Sequence, residues 1–219
     1  AIGTVNTVGF TAATSLTLSS TGTVTQSNLI SAPSLLLLGT NGIYTLTNTS
    51  NAITTLAGNT GTVSLVENSG FAIGTISGTV GLTTSGNTTL SSTGTVTQSA
   101  AVTAAGLELL GTGGTYTLTN TGNTVTSLAG NTGTVSFAGN SGFAIGTVNT
   151  IGLTTSGNTT LSSTGTVTQS AAVTAAGLEL LGTGGTYTLT NTGNTVTSLA
   201  GNTGTVSFAG NSGFAIGTV

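Results

Sequence analysis

The sequence predicts an all-β fold, a parallel β-helix or solenoid in which short strands stack coil upon coil. Residues 81–148 recur without one substitution as residues 152–219. Apolar and polar residues alternate, as in Thr115-Tyr116-Thr117-Leu118-Thr119, which is typical of half-buried strands. Gly-rich corners separate such segments. Strands this short bury a core only by stacking, and a fixed sequence period is typical of solenoids.

Three repeat copies divide the chain, at about residues 10–81, 82–152 and 153–219. The first copy is looser than the other two, but its segment Ser19–Ser27 returns at 91–99 and 162–170. The first residues, Ala1–Val5, have the same sequence as Ala144–Val148, so we expect the chain to begin and end inside a repeat. We therefore expect one continuous solenoid segment, residues 1–219, that is a fragment of a longer repetitive chain.

Each repeat, of about 71–72 residues, is predicted to form four coils of about 17–19 residues. In the second copy the cuts fall at 86–104, 105–122, 123–139 and 140–156. Three repeats then give about 12 coils, or roughly 55–60 Å at about 4.8 Å per coil. The general rule for parallel β crossovers favours a right-handed solenoid, although the sequence does not fix the hand.

Two local features bear on the corners between coils. The segment Ala101–Leu110 could form a helix, but Gly106 and the Pro33 of the first copy favour a corner. Asparagines recur near the corners: asparagine tolerates the left-handed backbone that tight turns need, and asparagines stacked at equivalent corners could also form hydrogen-bonded ladders. These are Asn87, Asn120, Asn123, Asn131, Asn140 and their copies in the third repeat.

Composition excludes several classes of partner and chemistry. The chain has no Lys, Arg, His or Cys. It cannot neutralise phosphates, so we expect no nucleic-acid partner. Its longest apolar run, Leu35–Leu38, is too short to insert into a membrane. Disorder is disfavoured, since 36% of the residues are apolar and the net charge is only −3.

We predict no catalytic, cofactor-binding or metal-binding residues, and therefore no enzyme. Glu67, Glu108 and Glu179 are the acidic residues, and acid–base chemistry needs a titratable pair or a metal. Glu108 and Glu179 occupy one slot a repeat apart, too far for paired carboxylates, and the first copy has Leu36 there. We expect Glu108 to be an outward residue between inward leucines.

Three segments carry a resemblance to a known family: Ser91–Ser99, Gly114–Asn120 and Leu128–Ser136. They resemble the repeat tracts of filamentous-haemagglutinin-like, two-partner-secreted bacterial exoproteins and adhesins. The resemblance covers essentially the whole chain and rests on repeat style. It implies a right-handed parallel β-helix stalk, an extracellular or bacterial cell-surface location and no functional residues to transfer.

The expected function is structural: a segment of a secreted or cell-surface fibre or adhesin stalk, serving attachment or biofilm. With so little charge, shafts could self-associate side by side or end to end into filaments. The alternative is a ligand-binding solenoid that presents flat threonine arrays, such as Thr95-Val96-Thr97, to ice or to surface glycans. Phe71, Phe143 and Phe214 are candidates for a sugar platform, although their position beside isoleucines favours core stacking.

Overall fold

The computed structural model is an all-β solenoid of parallel strands with about 10 turns, which confirms the predicted fold class. The structure describes residues 2–3 and 9–219. No helix occurs in those ranges. The described residues form twenty strands, and all but two of these belong to one continuous parallel sheet. The other two form a small antiparallel hairpin.

The strands divide among the three repeat copies. The first copy holds β1 (Phe10–Thr11), β2 (Ser15–Ser19), β3 (Thr23–Thr25), β4 (Ile30–Leu46), β5 (Ala52–Val66), β6 (Ala72–Ile73), β7 (Thr75–Ile76) and β8 (Thr79–Val80). The second holds β9 (Leu82–Thr84), β10 (Thr88–Ser91), β11 (Thr95–Gln98), β12 (Val102–Leu118), β13 (Thr124–Gly139) and β14 (Ala144–Ile145). The third holds β15 (Leu153–Thr155), β16 (Thr159–Ser163), β17 (Thr166–Gln169), β18 (Val173–Leu189), β19 (Thr195–Phe208) and β20 (Ala215–Ile216).

A full coil contains three pairing segments, which β12 shows in one continuous strand. Its beginning pairs with β9, its middle with β10 and its end with β11. The register shifts between Gly111 and Thr115, where the chain turns from the second segment to the third. Gly111 has a φ of 117°, and a Cβ there would lie 2.1 Å from the Ser92 carbonyl oxygen. Only glycine fits this corner.

The coils are longer and fewer than predicted. The length of a coil varies along the chain. Ser127 pairs with Ala144 in the adjacent coil, 17 residues later, whereas Ala72 pairs with Thr97, 25 residues later. The predicted number of about 12 coils, four to a repeat, is therefore too high, and about 10 turns are present. Gly-rich segments that resemble coil boundaries in the sequence are corners inside longer coils.

Successive copies are rotated relative to each other by one pairing segment. The end of β5, Val63–Val66, pairs with β10, and β10 pairs with Leu107–Leu110 in the middle of β12. The end of β13 is connected in the same way, through β16, to the middle of β18. The last segment of one copy thus lies below the middle segment of the next. As a result, Glu108 and Glu179 lie on different sides of the solenoid.

The segment Ala101–Leu110 forms strand, not helix, and most of it belongs to β12. In place of the predicted corner, the strand has a one-residue irregularity, since the pairing of β12 with β13 omits Ala105. The pairing of β4 with β5 omits Pro33 at the same point. Pro33 and Ala105 are both exposed. In the other two copies the N–H at this point donates to a carbonyl of the preceding coil, from Ala105 to Gly86 and from Ala176 to Gly157, so Pro33 forgoes one inter-coil hydrogen bond at a point where the ladder is already interrupted.

One apolar cluster runs through the described coils from Leu16 to Leu199. Leu109 and Leu118 are completely buried in it, as are the ring positions Tyr44, Tyr116 and Tyr187. The Tyr116 hydroxyl lies 2.8 Å from the Leu90 carbonyl oxygen and 2.6 Å from that of Leu110, so the ring anchors two adjacent coils. Burial raises the pKa of Tyr187 to about 12, and the hydroxyl hydrogen bonds to backbone oppose that shift only in part.

Candidate functional site

The carboxylate of Glu108 accepts more hydrogen bonds than the other two glutamates do in the described structure. Glu108 points out of the core between Leu107 and Leu109, as expected, but it is only 1% exposed. A loop, Gly146–Gly152, folds over it from a later coil. The loop is closed at its base, where the Gly152 N–H donates to the Gly146 carbonyl at 2.8 Å.

Four groups donate hydrogen bonds to the Glu108 carboxylate. The backbone N–H groups of Asn149 and Thr150 reach Oε1 at 3.2 and 2.6 Å. The Asn149 side-chain amide and the Thr89 hydroxyl reach Oε2 at 2.7 and 2.8 Å. Burial raises the pKa of Glu108, but these hydrogen bonds outweigh it and hold the pKa below its usual value. The carboxylate is therefore ionised and fully engaged within the protein.

In the first copy, the equivalent position and the loop that covers it are apolar. Leu36 occupies the slot of Glu108, and the covering loop is the β7–β8 hairpin. Ile76 of that hairpin packs on Leu36 and Ala57, with Leu38 at the edge. Slot and loop thus vary together: leucine lies under isoleucine, and glutamate lies under backbone N–H groups. In the sequence, the copies differ both at the position of Leu36 or Glu108 and in the covering loop. The sequence alone does not show that these two parts of the chain are in contact.

The other two glutamates make simpler contacts. Glu67 is buried at a corner, where it accepts hydrogen bonds from the Ser69 hydroxyl at 2.6 Å and the Gly70 N–H at 2.7 Å. Glu179 is half-buried and accepts a hydrogen bond from the Thr160 hydroxyl at 3.1 Å. Among the described residues, no group of three His, Cys, Asp or Glu side chains is placed to hold a metal ion.

An asparagine–glutamine pair recurs once in each copy, and the sequence pattern did not predict its role. Asn123 is completely buried, and its side-chain amide exchanges two hydrogen bonds of 2.8 Å with the amide of Gln98. It also accepts from the Val102 N–H and donates to the carbonyls of Leu118 and Ala138. One side chain thus joins several coils. The equivalent pairs are Gln26 with Asn51 and Gln169 with Asn194.

The asparagines that recur near the corners do not use the left-handed backbone that this residue type tolerates. Among the described non-glycine residues, positive φ angles occur at Asn41 (62°) and Ser77 (49°), and at none of the predicted positions. Glycines supply the other left-handed corners. Asn123 shows the physical reason: its amide is used to satisfy buried backbone groups, a task that requires a long polar side chain and not a special backbone angle.

The candidate ligand-binding residues divide between core and surface. Phe71 and Phe143 are 4% exposed, and Phe143 packs edge-on against Phe137 with ring centroids 5.2 Å apart. Both belong to the core. Phe214, in the last coil, is 39% exposed. Thr95, Thr97 and Thr117 are exposed, whereas Thr132 is buried and bonds to backbone carbonyls.

An apolar cleft of about 310 Å³ lies over the end of the core at β19 and β20. It is lined by residues from three successive strands of the third copy. The lining residues are Leu180, Leu199, Ala200, Gly201, Thr203, Gly204, Val206 and Ile216.

Comparison with known proteins gives no relative: no protein family, curated protein or solved structure matches this chain. The described residues contain no helix that is long and apolar enough to cross a membrane.

Proposed function

We propose that this chain is a structural, non-catalytic segment of a fibre or adhesin stalk, secreted by a bacterium or held at its surface. The observation that carries the proposal is the uninterrupted core, which extends from Leu16 to Leu199 through stacked parallel coils. About 10 turns at about 4.8 Å each make a rod roughly 50 Å long. A rod of this kind bears load along its axis, because every coil is hydrogen-bonded to its neighbours.

The side surface supports the same proposal. With no Lys, Arg or His and only three acidic residues, the shaft has almost no charge to repel a parallel neighbour. Its side faces carry small hydroxyl side chains, among them Thr97 and Thr117. Neighbouring shafts can therefore pack side by side, and the expected partner is another copy of this protein.

Electron microscopy of the native material tests the proposal. We expect ordered filaments with an axial repeat of about 4.7–4.8 Å along the shaft and shafts in contact with one another. Isolated rods that do not associate at any concentration, or material without an axial β repeat, would contradict it. Immunogold labelling of intact cells against cells with the surface stripped by protease distinguishes a surface location from an internal one.

A second candidate is a ligand-binding solenoid, and the stacked threonines favour it. Thr95 lies directly beside Thr115 in the next coil, and Thr97 beside Thr117. The series continues to Thr134 and Ser136. Such a rank offers hydroxyl and methyl groups at about the 4.8 Å coil spacing. The rank is short, however, because Ser136 is followed by Thr160 and then by Glu179 in the same line.

Ice recrystallisation and glycan-array assays test this candidate. Thr117→Tyr would disrupt the rank, and Thr190→Tyr, at an exposed position outside it, is the matched control. Activity that Thr117→Tyr abolishes and Thr190→Tyr retains would favour ligand binding. Absence of activity in the unmodified chain would exclude it.

A further inference from the structure

Two loops lie over the side of the solenoid, and different forces hold them there. The Gly146–Gly152 loop covers Glu108, whereas the β7–β8 hairpin covers Leu36. Both close at the base through an equivalent backbone hydrogen bond of 2.8 Å. What differs is the contact between each loop and the coils beneath it, so the two loops can respond differently to the same change in conditions.

The Gly146–Gly152 loop is attached to the neighbouring coils by polar contacts. Among the described residues, the hydrogen bonds from positions 147–151 to other coils all end on Glu108 or on Thr89. The loop supplies three N–H donors to the carboxylate, two from its backbone and one from the Asn149 side chain. The closed position of the loop therefore depends on one carboxylate.

The β7–β8 hairpin is held by apolar packing instead. Ile76 is 6% exposed in a cluster with Leu36 and Ala57. Val148 occupies the corresponding place in the Gly146–Gly152 loop, but it is only partly buried. Leucine, alanine and isoleucine do not titrate, so pH does not act on the contacts of the hairpin.

Protonation of Glu108 removes acceptors that the Gly146–Gly152 loop uses. Oε1 faces two backbone N–H groups, whereas Oε2 faces the Asn149 amide and the Thr89 hydroxyl. A proton is accommodated best on Oε2, because the Thr89 hydroxyl can rotate to accept it. The protonated oxygen is then a weak acceptor for the Asn149 amide. The other N–H groups now bond to a neutral group, and such bonds are about half as strong as those to an ionised carboxylate.

No other ionisable side chain surrounds this site. Glu108 is flanked by Thr89 of β10, by Ala129 of β13 and by the loop, and none of these carries an ionisable side chain. The chain has no Lys, Arg or His. The other two acids, Glu67 and Glu179, form their hydrogen bonds elsewhere. A response of the loop to acid must therefore come from Glu108.

We propose that the Gly146–Gly152 loop is an acid-opened cover: protonation of Glu108 releases it from the side of the solenoid, while the β7–β8 hairpin stays closed. In the open form the Glu108 carboxylate is in water and its pKa is ordinary, whereas in the closed form hydrogen bonds lower the pKa despite burial. Closing is therefore favoured above the ordinary pKa and is weakened as the pH falls through the lowered one. The equilibrium constant for closing falls by about tenfold for each unit that separates the two pKa values.

Opening changes the side surface of the shaft and leaves the core intact. Ala129 lies beside Glu108 in the ladder and is completely buried, as its counterpart Ala57 is under Ile76. Both Glu108 and Ala129 meet water when the loop opens. Leu109 stays buried, because it points inward between stacked coils. Acid thus uncovers one patch on the side of the shaft without dissolving the stack.

Single spin labels on the two loops test the proposal. The chain has no cysteine, so Ile151→Cys and Val80→Cys each provide one thiol for a nitroxide. The two positions correspond in the repeat and are 78% and 67% exposed, so neither label should disturb the packing. Electron paramagnetic resonance from about pH 7 to about pH 2, a range that spans the titration of glutamate, reports the mobility of each loop. Circular dichroism verifies that the solenoid stays folded.

We expect the label at position 151 to become mobile as the pH falls through the titration of Glu108, and the label at position 80 to stay unchanged. With the label at position 151, Glu108→Gln should give a mobile loop already at neutral pH and no further response to acid. Glu179→Gln, the same substitution in the corresponding slot of the third copy, is the control and should leave the response intact.

Three results would overturn the proposal. The first is a label at position 151 that stays immobile in acid, and the second is a response that survives Glu108→Gln. The third is mobility of both labels over the same pH range, because the whole molecule would then be unfolding and the Gly146–Gly152 loop would not be opening by itself.

Discussion

At the residue scale, this solenoid is held together by a few side chains that connect coils through polar contacts. Asn123 makes five hydrogen-bond contacts to different parts of the chain, two accepted by Oδ1 and three that share the two hydrogens of Nδ2, although it is completely buried. Tyr116 does the same with one hydroxyl and two carbonyl groups. These residues bond to buried backbone groups near the corners, and such groups are costly when unpaired.

We expect Asn123→Leu to lower the free energy of unfolding by about 2–4 kcal/mol, because it leaves the Val102 N–H and the carbonyls of Leu118 and Ala138 buried without this partner. Asn131→Ala, at an exposed position in β13, should change stability by less than about 0.5 kcal/mol. Chemical denaturation of both variants provides the comparison, and equal stabilities would show that the amide pair is not a structural clamp.

Glu108 makes the free energy of unfolding depend on pH in the acid range. Its pKa in the folded protein is below the usual value, so the ionised carboxylate stabilises the fold above the unfolded-state pKa. That contribution is lost as the pH falls through the folded-state pKa. We expect stability to decrease below about pH 4.5. The difference between the unmodified chain and Glu108→Gln should shrink over the same range, because the glutamine variant cannot titrate there. A pH-independent difference would contradict this role.

At the scale of elements, the two loops that cover the solenoid are matched to the residues beneath them. The β7–β8 hairpin lays Ile76 on Leu36, whereas Gly146–Gly152 directs N–H groups at Glu108. Val148 of the second loop lies close to Gly106, where an added Cβ would be 2.9 Å from the Val148 Cγ2 atom. The first copy has Ser34 at that position and a loop that is one residue longer.

We therefore expect Leu36→Glu to destabilise the protein, although glutamate is the native residue in the same slot of the other copies. Under Ile76 the new carboxylate is buried without the donors that Asn149 and Thr150 supply to Glu108, and the cost should exceed about 2 kcal/mol. Thr47→Glu, at an exposed position, should be nearly neutral. Thermal unfolding of the two variants measures the difference, and a neutral Leu36→Glu would refute the matching of slot and loop.

At the scale of the whole molecule, the solenoid behaves as a stack in which each coil contacts only its neighbours. Identical sequences can then differ in stability by position. Leu109 and Leu180 are the same repeat residue and both lie between two coils, but Leu180 also borders the cleft at the last coil.

We expect Leu109→Asp to cost more than about 4 kcal/mol, since it buries an unpaired charge in the middle of the stack. Leu180→Asp should cost clearly less, because only the last coils need to open around it. Hydrogen exchange should show lost protection on both sides of Leu109 in the first variant, and from β18 onwards in the second. Equal losses would mean that the molecule unfolds as one unit.

Much of the fold was accessible from the repeat and the strand pattern. The alternation at Thr115–Thr119 placed Tyr116 and Leu118 in the core, where they are completely buried. The length of the coil was not accessible, because Gly-rich corners inside a coil look the same in sequence as boundaries between coils. The roles of Asn123 and Glu108 were missed for a related reason: their partners are distant in the sequence, and only the register of the coils brings them together.

The sequence by itself determined the architecture: a fixed period, short amphipathic strands and almost no charge permit a stacked parallel sheet and little else. Only the tertiary structure decided which residues meet. A repeat that does not contain a whole number of coils rotates each copy by one segment, so identical residues lie on different sides of the shaft. That rotation is a property of the coil geometry, which depends on how corners close in three dimensions and not on the residues of any one strand.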